Sequence, residues 1–172
     1  MYRGKKASGF SLVELIVAIA IFAVAAAGIF GSMSFALGHQ SDAIIRTKEE
    51  ALARSYFEQI SARKYDELTP EGGVPRCAPC SLESAFDDGE TRANYDDVDD
   101  FDGLDETPPR SDDGTVMTEF PGYRVQIDVR YLDAAEQTLL GMMAAEDAKI
   151  VEISVQAPGG RSRTFTSVRA NF

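Results

Sequence analysis

The chain has 172 residues, 44% of them hydrophobic, and a formal net charge of −11. That size fits one modest domain plus an N-terminal segment, and the apolar content argues against wholesale disorder. The acidity argues against nucleic-acid binding, because phosphates would be repelled, and Arg3, Lys5 and Lys6 before Gly9 are the only basic residues ahead of the first acid, Glu14.

Residues 1–9, MYRGKKASG, are short, basic and polar. Phe10-Ser11-Leu12-Val13-Glu14 follows, and Leu15–Gly38 then runs for 24 residues without a charged side chain. As a helix this stretch would be about 36 Å long, enough to cross a hydrocarbon core of about 30 Å. It is too long for an ordinary secretory hydrophobic region of about 7–15 residues. The basic leader is expected to stay cytoplasmic, with the rest of the chain facing out.

Glu14 interrupts the apolar pattern near its cytoplasmic end. A lone carboxylate in a bilayer is costly, so it either snorkels to the headgroups or finds an ionic partner. The co-occurrence of a basic leader, small Gly9, Phe10, Glu14 four residues later and a long uncharged helix resembles the class III signal of type IV prepilins and pseudopilins. That resemblance implies cleavage between Gly9 and Phe10 by a membrane peptidase, which also N-methylates Phe10. It makes Glu14 an assembly residue, because its carboxylate can meet the Phe10 amine of a neighbouring subunit. Many members carry a proline where this chain has Gly31, which leaves open whether the helix bends. Gly28, Gly31 and Gly38 with the run Ala25-Ala26-Ala27 otherwise suit close helix packing.

From His39 to about Tyr65 the helical pattern turns amphipathic. Ile45, Leu52, Tyr56 and Ile60 recur near multiples of 3.6 residues, and Arg46, Glu50, Arg54 and Glu58 form an i,i+4 charge ladder. His39, the only histidine, reads as a solvated residue beyond the span. The run Thr69–Pro75 is expected to end the helix.

Cys77-Ala78-Pro79-Cys80 reads as a small structural disulfide, with free thiols, half a metal site or a redox pair as alternatives. Its Pro-rich setting lacks the strand–turn–helix context of a redox site. Residues 87–113 hold twelve acids against Arg92 and Arg110. A solvated loop is the simplest reading. Calcium at Asp96, Asp97, Asp99, Asp100 and Asp102 is the sharper one, since clustered carboxylates are hard oxygen ligands. An EF-hand is excluded: with Gly103 sixth, Val98 would be first and Pro109 twelfth. Tyr95 and Phe101 are expected to pin this loop to the body. No other cofactor is expected.

The last third alternates as strands do. Tyr123–Tyr131, Lys149–Gln156 and Arg161–Arg169 predict an antiparallel meander turning at Pro158-Gly159-Gly160, with Thr115–Phe120 as a short edge and Leu132–Ala148 as a helical or irregular connection. The expected fold is α+β and pilin-like: a long N-terminal transmembrane and amphipathic helix packed on an antiparallel sheet of three to four strands. The divisions are a leader at 1–9, a filament-core half-helix at 10–38, an amphipathic half at 39–68 and a head at 69–172, with an acidic loop at 87–113 and a sheet at 115–172.

Asp87-Asp88-Gly89-Glu90, the stretch Tyr95–Phe101 and the terminal Val168-Arg169-Ala170-Asn171-Phe172 are similar to MshD-type minor pilins of the mannose-sensitive haemagglutinin (MSHA) pilus. That likeness implies a low-abundance subunit that initiates, caps or decorates an attachment pilus. Implied partners are other pilin subunits through their N-terminal helices, the prepilin peptidase/methyltransferase and the inner-membrane assembly platform. The implied location is the bacterial inner membrane, single-pass with a periplasmic head, and then the pilus. A minor pseudopilin of type II secretion and a membrane-anchored periplasmic module binding calcium or another ligand are the alternatives. No Ser/His/acid constellation or phosphate loop points to an enzyme.

Overall fold

A computed structural model describes residues 9, 11–70, 72–86 and 89–172, with the side chains of 36–41 outside that description. The leader residues 1–8, Phe10, the His39 side chain, Asp87 and Asp88 therefore lie outside the described residues. The chain divides into two compact units, Met1–Ile44 and Ile45–Phe172.

Helix α1 spans Leu12–Ser61 and supplies residues to both units. In the first unit, Leu12–Phe35 is 24 residues long with a mean hydropathy of 2.7, enough to cross a membrane by length and composition. Phe22 and Val24 are about three-quarters exposed, at 75% and 76%. Such a face, apolar all round, is stable only where water is replaced by lipid or by other apolar helices.

In the second unit, Leu52, Ala53, Tyr56 and Ile60 form the buried stripe of α1. Their i, i+4 spacing puts them on one side of the helix. They share a core with Val125, Ile127 and Val129 and with Val151, Ile153 and Val155. These triplets come from strands β2 (Arg124–Tyr131) and β3 (Ala148–Gln156), where every second residue points inward. The sheet is antiparallel throughout, in the order β1-β2-β3-β4, with β1 at Asp105–Glu106 and β4 at Ser162–Ala170. Ile127 faces Ile153 across one ladder, and Ile153 faces Phe165 across the next. The expected α+β architecture is present.

Three local expectations change. The edge of the sheet is β1, not Thr115–Phe120, whose Val116 makes only an isolated bridge with Arg110. Asp102 favours this arrangement, because its Oδ1 accepts the Val129 N–H at 2.8 Å beside that edge. The α-helix also stops at Ser61, ahead of the Thr69–Pro75 run. There the backbone finds other partners: Lys64 N–H donates to Asp96 O, and Lys64 O accepts from Val98 N–H, both at 3.1 Å. Finally, the connection after β2 contains a regular helix, α2 (Ala134–Leu140).

Helix α2 is set by its ends. Asp133 accepts the Glu136 N–H and Glu136 accepts the Asp133 N–H, a reciprocal cap. Gly141 closes the helix at φ 69°, a left-handed conformation that favours glycine. Asp133→Ala is expected to cost about 1 kcal/mol. The measurement is the shift in urea midpoint, and an unchanged midpoint would remove the cap from the account of this loop.

Candidate functional site

The N-terminal site is built on the first turn of α1. Gly9 is exposed, and Ser11 O accepts the Leu15 N–H at 3.1 Å, which opens the helix. Glu14 lies in that first turn, exposed among Leu12, Val13, Leu15 and Ile16. A carboxylate here benefits from the positive end of the helix dipole. It also presents a single anionic group on an otherwise apolar surface, so burying that surface against other helices would leave the charge in need of a cation.

Between Tyr95 and Phe101 the acidic stretch packs against the core. Val98 and Phe101 are fully buried, and Asp97 and Asp99 are nearly so. Tyr95 stacks edge-on against Phe101, with ring centroids 5.1 Å apart. Arg92 sits over that Phe101 ring at 4.9 Å and also bonds Gln59.

The five carboxylates singled out for calcium go to different partners. Asp96 pairs with Lys64 at 3.1 Å. Asp97 Oδ1 accepts the backbone N–H groups of Asp99 and Asp100, and Asp100 Oδ2 accepts those of Asp96 and Asp97. Asp102 accepts from Val129, and Asp99 pairs with Lys149. Among the described residues, the carboxylate group compact enough to hold an ion is Glu67, Asp96 and Asp97, which draws on only two of the five.

Lys149 is the residue that sequence reading overlooked. It is fully buried, in an enclosure of three rings: Tyr65 at 4.4 Å, Phe86 at 4.7 Å and Tyr131 at 5.4 Å from Nζ. Its ammonium donates to Tyr65 O at 2.8 Å and to Asp66 Oδ2 at 3.1 Å, and it pairs with Asp99 Oδ1. A signal was present. Lys149 has the same parity as Val151, Ile153 and Val155, so period-two alternation already aims it inward.

Electrostatics follow from burial. Burial, and then the nearby Asp100 charge, push the Asp97 carboxyl up to about 6. Burial pushes Asp99 up to about 8 against the pull of Lys149. Burial also works to raise Asp66, but the Leu68 N–H, Lys149 and the Ser81 N–H outweigh it and hold that carboxyl below the ordinary range. A carboxyl raised in the fold favours the protonated state, so its contribution is full below the unfolded value near 3.8 and is lost as pH rises through the folded value. Through Asp97 the head is expected to lose stability between about pH 4 and about pH 6. Asp97→Asn keeps the Oδ1 acceptor and should flatten that slope. Denaturation midpoints measured across this window test it, and an unchanged slope would remove Asp97 as its source.

Cys77 and Cys80 are joined as a disulfide with their Cα atoms 5.0 Å apart. Both are buried against Tyr65, and Asn171 Nδ2 donates to Cys77 O and to Glu146 O at 3.1 Å. The bridge thus lies under the C-terminal end of the chain.

Residues 4–30 match the family model for the prokaryotic N-terminal methylation motif. No match exists among curated proteins, and none among solved structures. The matched segment contains Gly9, Phe10 and Glu14 and extends into the apolar part of α1.

Proposed function

We propose that this type IV prepilin-like protein is a minor pilin of the MSHA type, which is processed at its N-terminus and then enters, or primes assembly of, an attachment pilus. The methylation-motif match over residues 4–30 carries this reading. It coincides with a helix long and apolar enough to anchor the chain in a membrane. Processing between Gly9 and Phe10 would free an amine at Phe10, and Glu14 of a neighbouring subunit would receive it. The role is structural: the helices pack with those of other subunits, and the head is displayed. The peptidase/methyltransferase and the inner-membrane assembly platform are the partners this route requires. Orientation follows from the basic leader, which keeps the N-terminus cytoplasmic and the head periplasmic. The likeness of Tyr95–Phe101 and Val168–Phe172 to MshD-type minor pilins supports the narrower assignment.

Mass spectrometry of the mature N-terminus tests the processing step. The expected result is a chain beginning with N-methylated Phe10. An intact Met1, or cleavage elsewhere, would overturn it. Deletion in the native host tests the narrower role, with piliation and protein secretion read side by side. Loss of pili with secretion intact is expected. Loss of secretion with pili intact would instead favour a minor pseudopilin.

A further inference from the structure

We infer that the head is a self-cross-linking unit, in which Lys149 Nζ and the Asp99 carboxyl condense to an intramolecular amide with Asp66 as the catalytic acid–base. The inference does not rest on the pilin reading; it rests on which groups the fold brings together. A primary amine and a carboxyl are held in contact, and both side chains are essentially withdrawn from water, at 0% and 5% exposure. A second carboxyl, Asp66, is fully buried with Oδ2 at 3.1 Å from the same nitrogen. Tyr65, Phe86 and Tyr131 wall the three groups in. Asp99 Oδ2 is buried and has no hydrogen-bond partner among the described residues.

This setting favours condensation for physical reasons. In a low-dielectric enclosure a charged pair is costly, and moving one proton from the ammonium to the carboxylate removes both charges. The products of that transfer, a free amine and a carboxylic acid, are the reactive forms. Fixing them in contact replaces a bimolecular encounter by a local one, which removes much of the entropic part of the barrier. Asp66 is held rigidly for its part. It accepts the Leu68 N–H, the Ser81 N–H and the Ser81 hydroxyl, and the Tyr131 hydroxyl reaches it at 3.3 Å.

The step balances without any further reagent. The Lys149 nitrogen lone pair adds to Asp99 Cγ and forms the C–N bond. Asp66 takes a proton from that nitrogen and returns it to the departing oxygen. The Cγ–O bond breaks and water leaves, carrying the second proton from the carboxylic acid. Nothing is oxidised or reduced. The leaving oxygen is Oδ1, which faces Nζ and takes up the transferred proton, while the buried, unpaired Oδ2 is left as the amide oxygen. The product would tie the acidic segment covalently to β3 and close a loop that contains β1, β2 and α2.

The test uses the full chain purified in detergent, with its disulfide reduced, and compares wild type with Lys149→Arg and Asp66→Asn. Intact mass and proteolytic peptide mapping are the readouts. The expected wild-type result is a deficit of one water and a joined peptide pair containing Asp99 and Lys149, with both variants at full mass. Wild-type protein at full mass with separate peptides would overturn the proposal. So would a water deficit that persists in Lys149→Arg, which would locate the loss at a site such as Asp102-Gly103. Linkage in Asp66→Asn to the wild-type extent would overturn the role of Asp66.

Discussion

Glu14→Ala is expected to be cleaved, methylated and inserted normally, yet to fall by more than about a hundredfold in filaments sheared from cells. The reasoning starts from the position of Glu14 in the first turn of α1, exposed on an apolar surface. When such helices bundle, that surface is removed from water, and any charge on it needs a partner. On the proposed route the processed Phe10 amine of the next subunit is that partner. Removing one member of a buried ion pair typically costs about 3–5 kcal/mol, because the other charge is left uncompensated. Each 1.4 kcal/mol is about tenfold in an equilibrium, so the loss should be large. Cleavage should be spared, since Glu14 lies beyond the bond that is cut. Wild-type amounts of the variant in sheared filaments would refute the pairing. A block in cleavage would instead make Glu14 part of the recognition signal.

The second large effect is expected in the head. Lys149→Met should destabilise it by about 3–5 kcal/mol, again because truncating one partner of a buried pair strands the other. Here two carboxylates, Asp66 and Asp99, lose their common cation. The methionine fills much of the lysine stem's volume, so packing loss is a small part of the effect. Urea unfolding of the full chain in detergent, followed by tyrosine signals, gives the number. A loss below about 1 kcal/mol would mean that the trio contributes little. Replacing Asp66 and Asp99 by asparagine in the same variant should recover part of the loss, because the stranded charges are then gone. The figure applies to the uncondensed trio; a chain already joined at Lys149 and Asp99 would lose the cross-link as well, so the mass measurement is read first.

Both effects depend on charge held out of water, but they were unequally visible beforehand. Glu14 announces itself: a single acid in an apolar run is evident from linear order. Lys149 does not, because its partners lie far away in the chain, just past the end of α1 and in the acidic segment. Composition counts carboxylates but cannot say that Asp96 turns to Lys64, Asp102 to the Val129 N–H and Asp99 to Lys149.

The sequence by itself determined what depends on near neighbours. The methylation motif, the apolar span, the amphipathic stripe of Leu52, Tyr56 and Ile60, and the three long strands all follow from local periodicity, which a chain carries in any context. Tertiary structure decided what depends on distant pairing. The two-residue edge strand at Asp105–Glu106 is too short to have a period of its own and exists because β2 offers it hydrogen bonds. The end of α1 at Ser61 reflects competition from the backbone of Asp96 and Val98. The enclosure of Lys149 needs three segments and three rings to meet, and only packing brings them together.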